Sequence, residues 1–183
     1  MARSRRGAAP PSGSPPAGVG PAPTPSLASA TLPRVWQGLG YRPLPEATAA
    51  RALFDFAAVP WPTPDMIALT WGAFTGADRL VGALAAESDE RSMMFHGPVI
   101  VTEDEPLEVA AQLVAAALDH TAALGAETVF TRPLGLDRVW VRFGFIPVPE
   151  STLPRRLAGR PGAGLYAWRG GTALWTLRES PRS

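Results

Sequence analysis

The most regular pattern in the sequence is an apolar stripe over residues 107–124 that has the period of an α-helix. Acidic residues precede this stripe and Gly125 follows it, as is typical of the two ends of a helix. A helix with one apolar face needs a second layer of structure to cover that face. The fold must therefore place a sheet or further helices against residues 107–124.

Short apolar runs on both sides of the long helix predict the strands of such a sheet. Residues 66–74 and 79–87 are separated by Thr75-Gly76-Ala77-Asp78, a typical β-hairpin turn, and a third run covers residues 93–101. This order predicts an α/β (α+β) fold in which helices cover both faces of one mixed, mostly antiparallel sheet. Further strands are predicted at 41–44, 127–131, 145–148, 165–168 and 173–177, and shorter helices at 45–59 and 136–143.

The first 33 residues differ in composition from the rest of the chain. They contain eight Pro and three Arg, without an acidic or aromatic residue, and carry a charge of +3, whereas the remainder carries −2. Such a segment cannot bury enough apolar surface to offset the entropy of ordering it. We therefore predict a disordered tail at 1–33 and a single domain at 34–183. A transit peptide and a short nucleic-acid-binding arm are alternatives for the tail, although the acidic body makes nucleic-acid binding a weak prediction.

Several classes of site are excluded because the sequence contains neither Cys nor Lys, and all 17 basic residues are Arg. Disulfides, thiolate metal sites and cysteine nucleophiles are excluded, as are phosphate-binding and Schiff-base lysines. His96 and His120 are the only histidines, so we expect no multi-histidine metal site. Because no apolar run is long enough to cross a membrane, we expect a soluble, cytoplasmic protein.

Four segments resemble the GCN5-related N-acetyltransferase (GNAT) superfamily and occur in the order of that family. Arg79-Leu80-Val81-Gly82-Ala83 is similar to its third strand, and residues 107–125 are similar to its long helix. Residues 128–131 are similar to the next strand, and residues 139–148 (VWVRFGFIPV) to a signature that contains Gly-Phe. The resemblance covers about residues 38–170 and implies a GNAT-like fold for this part of the chain.

The resemblance also implies a reaction and a co-substrate. In the family an amine attacks the thioester of acetyl-CoA directly, a route that suits a chain without a cysteine nucleophile. The thioester would lie where the fourth and fifth strands splay apart. Backbone N–H groups of the fourth strand would hold its carbonyl, which implicates Val99 and Val101. We therefore predict acetyl-CoA as co-substrate, without a metal.

The segment that would bind the pyrophosphate departs from the family pattern Arg/Gln-x-x-Gly-x-Gly/Ala. Residues 105–110 read Glu-Pro-Leu-Glu-Val-Ala, so that only Ala110 fits, and Pro106 lacks an N–H donor. Acidic residues are common at helix starts, which is an alternative reason for their presence here. Three carboxylates would stand beside the phosphates, namely those of Glu103, Asp104 and Glu105.

Two arginines offer a different hold on a CoA phosphate. Arg138 and Arg142 are one helical turn apart in the predicted helix at 136–143, and Arg132 ends a strand nearby. We predict that Arg138 and Arg142 bind a phosphate, with an ordinary solvated helix face as the alternative.

Candidates for proton transfer are few. His96 lies on the predicted fourth strand and Glu87 ends the third, so each is a candidate base. The alternatives are a hydrogen-bonded strand histidine and a solvated turn acid. The family's frequent Tyr falls on Trp140, a packing aromatic whose indole is too weak an acid to protonate a thiolate, and this leaves Tyr166 as the candidate acid, with Tyr41 the other phenol.

The function predicted from these observations is direct acetyl transfer to a primary amine of a small molecule or peptide. The alternative is an inactive GNAT-like module that has lost the CoA phosphate loop and binds a ligand or a partner. We also consider a homodimer in which C-terminal strands pair between subunits.

Overall fold

The structure, a computed structural model, describes residues 26–158 and 174–178. The strand predicted at 165–168 and the candidate acid Tyr166 lie outside these residues. So does most of the predicted N-terminal tail.

An eight-stranded sheet forms the centre of the described structure. The strand order is β1-β2-β3-β4-β5-β6-β8-β7, and neighbouring strands are antiparallel except for the parallel pair β5 and β6. The predicted hairpin and the mostly antiparallel sheet are confirmed. The strands are β1 (Arg34–Trp36), β2 (Leu39–Pro43), β3 (Ile67–Phe74), β4 (Leu80–Asp89), β5 (Ser92–Ile100), β6 (Thr128–Thr131), β7 (Ile146–Val148) and β8 (Leu174–Arg178).

Helices cover both faces of this sheet, as predicted. The long helix packs against β2, β3, β4 and β5, and a short helix contacts β5 from the opposite face. The helices are α1 (Leu27–Ala30), α2 (Arg51–Phe56), α3 (Pro106–Ala123) and α4 (Asp137–Arg142), and 3-10 turns occur at Ala47–Ala50, Pro64–Met66 and Glu150–Thr152.

Alternating side chains of the central strands supply the two halves of the core. In β4, Leu84 and Ala86 join the cluster beneath α3, whereas Ala83 and Ala85 join Phe54 of α2. Side chains on a strand alternate between faces, so this alternation fixes which residues share the α2 side of the sheet.

One prediction about the first 60 residues is wrong. The helix predicted at 45–59 is limited to α2 and the preceding 3-10 turn, because Ala58 adopts a left-handed conformation with φ of 53° and Val59 N–H bonds to the Phe54 carbonyl. The last eight residues of the predicted tail are among those described: Ser26 caps α1, whose small Ala30 is buried where α1 contacts α3. The division of the chain at residue 33 stays a prediction.

The sheet opens between β5 and β6. These strands pair only from Ser92 to Phe95 of β5, while β5 continues to Ile100 beside β4 alone. Pro98 has no N–H to bond across the gap, and it follows a cis peptide bond. Gly97 has a φ of +88°, and a Cβ there would lie 2.9 Å from Val99 N, so this turn of the backbone requires glycine. A bulge in β5 therefore lies inside the sheet, where β5 and β6 separate.

Candidate active site

An apolar cleft of about 500 Å³ lies at the open end of β5. Its walls come from the end of β5, the first turn of α3, the loop between β6 and α4, and the segment after α2. All ten lining residues are apolar, so the cleft suits an uncharged, slender ligand. They are Ala57, Ala58, Val59, Pro98, Val99, Ile100, Pro106, Leu107, Leu134 and Leu136.

A histidine and a buried glutamate form a pair on the α2 side of the sheet, beside this opening. Nε2 of His96 lies 3.1 Å from Oε2 of Glu87, and the backbone N–H of Thr63 donates to Oε1 over 2.9 Å. Glu87 is fully buried, whereas the side chain of His96 keeps 15% of its surface exposed. His96 follows Phe95, the last β5 residue that pairs with β6, so the pair stands where the sheet begins to open.

The hydrogen bonds of the pair determine which imidazole atom can act as a base. A carboxylate only accepts hydrogen bonds, so when Glu87 is ionised the Nε2 atom of His96 is the one that carries the proton and donates. Nδ1 then holds the lone pair that can accept a proton from a substrate. Glu87 has no exposed surface, so it could affect a substrate only by orienting His96, and its predicted role as a base stays a prediction.

One backbone donor faces the cleft. Val101 N–H donates to the carbonyl of Val81 over 2.9 Å, on the β4 side of the strand. Successive N–H groups of a strand point to opposite edges, so the N–H of Ile100 points away from β4, where β6 has already diverged. Ile100 was not predicted as a site residue, because only the register around the bulge shows which N–H groups face the gap.

The first turn of α3 offers little to a phosphate. Pro106 has no N–H, and the N–H groups of Glu108 and Val109 both donate to the Glu105 carbonyl, over 3.0 and 3.1 Å. Of residues 106–109, all of them described, only Leu107 keeps an N–H for a ligand. Exposed carboxylates immediately precede this turn, at Glu103, Asp104 and Glu105.

The two arginines predicted to bind phosphate differ in their surroundings. Arg142 Nη1 lies 2.9 and 3.0 Å from the two carboxylate oxygens of Glu108, so its charge already compensates an acid of the α3 turn. Arg138 is exposed and forms no ion pair within residues 26–158 and 174–178. Its predicted role as a phosphate ligand stays a prediction. Arg132 is buried and forms a bidentate pair with Glu150.

The other predicted cofactor contacts divide into three cases. Val99 lines the cleft, whereas Val101 is partly exposed and its N–H is already bonded to Val81. Ala110 has no exposed surface and packs in the core beneath α3, and its predicted contact with a phosphate stays a prediction. Tyr166 lies outside the described residues.

Neither aromatic residue considered in place of the missing family tyrosine can act as the acid. Trp140 is fully buried and donates from Nε1 to the Pro133 carbonyl over 3.3 Å, in keeping with its predicted packing role. The Tyr41 hydroxyl is buried without a hydrogen-bond partner among the described residues. Burial, and then the nearby carboxylate of Glu108, raises the pKa of Tyr41 to about 12.

Among the described residues no cluster of three or more His, Asp and Glu could hold a metal ion. The helices described here are also all too short or too polar to cross a membrane.

No protein-family model matches the sequence, and no curated protein matches it. Solved structures do match its fold. The N-acetylglutamate synthase from Neisseria gonorrhoeae, solved with coenzyme A and N-acetyl-glutamate, gives a TM-score of 0.58 at 11% identity, covering 80% of this chain and 36% of the synthase. The spermidine N-acetyltransferase from Vibrio cholerae, solved with CoA and spermine, gives 0.52 at 13% identity, covering 78% of this chain and 96% of that enzyme.

A GNAT-family acetyltransferase from Staphylococcus aureus Mu50 gives a TM-score of 0.49 at 10% identity, covering 60% of this chain and 66% of the other. This chain thus spans about two thirds of that protein and about a third of the synthase, but nearly all of the spermidine enzyme. The synthase and the spermidine enzyme share the mixed sheet and its helical layers at scores above 0.5. The chain therefore has the fold of the GNAT acetyltransferases.

Proposed function

We propose that this chain transfers an acetyl group from a thioester to a primary amine by direct attack. The observation that carries the proposal is the His96–Glu87 pair at the point where β5 and β6 separate. Two solved structures with this fold are named as a spermidine N-acetyltransferase and an N-acetylglutamate synthase, which supports the same class of reaction here.

The chain's own groups would divide the reaction between them. Nδ1 of His96 removes a proton from the incoming ammonium group, and the free amine nitrogen attacks the carbonyl carbon of the thioester. The N–H of Ile100 donates to the carbonyl oxygen as that atom gains negative charge. A C–N bond forms while the C–S bond breaks, and the sulfur leaves as a thiolate, a good leaving group because the ordinary pKa of a thiol is about 8.5. The second proton that the attacking nitrogen loses goes to this thiolate, so that the products are the amide and the free thiol.

An acetyl-CoA molecule fits this site only in part. The apolar cleft suits the uncharged arm that ends in the thioester, and its walls would exclude water around it. The first turn of α3 does not fit the diphosphate, because its N–H groups are few and its neighbours are acidic. We therefore describe the donor in this reaction as a thioester.

The test is turnover of an acetyl thioester with a panel of primary amines, including polyamines and amino acids. We expect His96→Gln to lower kcat about 100-fold or more, since loss of a general base costs at least that much. His120→Gln is the matched control, because His120 lies on α3 and bonds to Trp71 in the opposite half of the core. Equal kcat in wild type and His96→Gln would overturn the assignment of the base.

A second candidate function is a binding module without catalysis. The observation that favours it is the acidic first turn of α3, where Glu108 is already paired with Arg142 of α4. In that case thioesters or amines bind without turnover by any amine of the panel, and His96→Gln leaves their affinities unchanged.

A further inference from the structure

The first turn of α3 repels negatively charged groups, whereas the apolar cleft suits uncharged ones. A CoA thioester bound as in the GNAT family would occupy both. The side chains that line the cleft are all apolar, whereas Glu103, Asp104 and Glu105 are exposed just before α3. Pro106 and Leu107 belong to both features, because they line the cleft and form the start of the helix. A ligand that leaves the cleft past these residues therefore meets carboxylates.

We propose that the acyl donor is a thioester of a pantetheine-like arm that is bound through that arm alone, without a nucleotide diphosphate held at α3. This inference deepens the proposed function and rests on it for the reaction, but it concerns the binding of the donor. The ligand class is an uncharged, amide-containing thiol about as long as pantetheine, acylated at its sulfur.

The hydrogen bonds of the α3 turn support this inference. A helix start binds a diphosphate when several N–H groups point at it without other partners. Here, of the four N–H positions at the start of α3 (residues 105–108), Glu108 donates to the Glu105 carbonyl and Pro106 has no N–H. Glu105 itself is left-handed, with φ of 43°, and its side chain does not cap the helix.

The charges of the turn support the same conclusion. Glu103, Asp104 and Glu105 form no ion pair among the described residues, and Arg142 compensates Glu108 alone. Each uncompensated carboxylate within about 6 Å of a phosphate is expected to weaken its binding on the order of 3- to 10-fold at low salt. An arm that ends before the turn avoids this repulsion.

The direct test compares the affinities of CoA and pantetheine for the full chain by titration calorimetry. We expect pantetheine to bind at least as tightly as CoA at about 0.05 M salt, and CoA to gain affinity as salt screens the acids. CoA binding more than about tenfold tighter than pantetheine would overturn the inference, as would no pantetheine binding at about 10 mM.

Substitutions at the turn provide a second test. The triple change Glu103→Gln, Asp104→Asn and Glu105→Gln should tighten CoA binding about 10-fold or more and leave pantetheine binding unchanged. Glu90→Gln is the matched control, because Glu90 is an exposed acid in the turn at the other end of β5. A weaker CoA complex in the triple variant, or a loss of CoA affinity in Arg138→Gln above about fivefold, would show that the phosphates are held here after all.

Turnover separates this inference from the proposed function. S-acetylpantetheine and acetyl-CoA should acetylate an amine with kcat/KM values within about 3-fold of each other, or with the shorter donor ahead. Tight pantetheine binding without turnover of either donor contradicts the proposed reaction but agrees with the donor site. Turnover of acetyl-CoA without turnover of S-acetylpantetheine contradicts the proposed donor site but agrees with the proposed acetyl transfer.

Discussion

The imidazole of His96 and the carboxylate of Glu87 are diagonal neighbours on one face of the β4–β5 hairpin, with Nε2 and Oε2 3.1 Å apart. The register pairs Glu87 with Met94 and His96 with Ala85, so the two side chains share the α2 side of the sheet. The N–H of Thr63 occupies the other carboxylate oxygen and fixes the plane of the group. Thr63 thus holds Glu87 in place, and Glu87 orients His96.

Glu87→Gln should therefore impair catalysis through His96. We expect kcat to fall about 10- to 100-fold with KM little changed, a smaller loss than that of His96→Gln. The two losses should not add, because Glu87 has no separate role once His96 is absent. The measurement is a double-mutant cycle on kcat, with the melting temperature of each variant recorded. Additive losses would show that Glu87 acts independently of His96.

The contact between these two residues shows what the sequence indicates about the site and what it does not. Glu87 and His96 are each recognisable as candidate bases because they lie on the predicted third and fourth strands and His96 is one of only two histidines. Their contact follows from the two-residue turn between Asp89 and Ser92, which aligns residue 87 with residue 94. The charged residues of this turn do not indicate, from the sequence alone, which residues of β4 and β5 are paired.

The fold was more predictable than the chemistry of its surfaces. The long helix and most strands lie within one or two residues of their predicted bounds, because apolar periodicity reports burial directly. The pairing of Arg142 with Glu108 joins residues 34 positions apart, and no local pattern indicates it. The same holds for Trp71 and His120, whose imidazole accepts a hydrogen bond from the buried indole.

The Trp71–His120 contact makes stability depend on pH. Trp71 Nε1 donates to Nδ1 of His120 over 3.2 Å, so the imidazole accepts only while it is neutral. Burial lowers the pKa of His120 below its ordinary value of 6.5. The unfolded chain therefore binds the proton more readily, and the stabilisation is present above about pH 6.5 and lost as pH falls through the folded-state pKa. The charged groups beside this contact are Arg34 and Asp119, which pair at 2.6 Å.

Urea unfolding of wild type and His120→Gln between about pH 5 and pH 8 tests this prediction. The difference in unfolding free energy between the two proteins should grow with pH across this range, because the variant cannot titrate. A constant difference would show that His120 titrates alike in the folded and unfolded chains.

Gly97→Ala should destabilise the protein by about 1–3 kcal/mol. The added Cβ would lie 2.9 Å from Val99 N and 3.1 Å from the Ala83 carbonyl oxygen, at a φ of +88°. Neither backbone atom can move without disturbing the bulge that opens the sheet. Gly76→Ala is the control, since nothing lies within 4 Å of a Cβ there, and we expect it to change the unfolding free energy by less than about 0.5 kcal/mol. Equal effects in denaturant titrations would contradict this explanation.

Arg132 and Glu150 form an ion pair, and substitutions of the two residues should lower the free energy of unfolding by different amounts. Arg132 is buried, whereas the side chain of Glu150 keeps 58% of its surface exposed. Removing the acid leaves a buried guanidinium with fewer acceptors, so Glu150→Ala should cost about 1–2 kcal/mol. Arg132→Met should cost less, because methionine is apolar in the buried position and water hydrates the freed Glu150. A larger loss for Arg132→Met in chemical denaturation would show that contacts of the arginine stem dominate.

Two N-terminal deletions separate the contribution of α1 from that of residues 1–25. Residues 1–25 contain no acid and no aromatic residue, so we expect their removal to leave the melting temperature unchanged. Removal of residues 1–33 also deletes α1, whose Ala30 is buried where α1 contacts α3. We expect this longer deletion to lower the melting temperature by several degrees, corresponding to about 1 kcal/mol. Calorimetric melting of the two deletions and the full chain measures both effects, and equal temperatures for all three would show that α1 contributes nothing to stability.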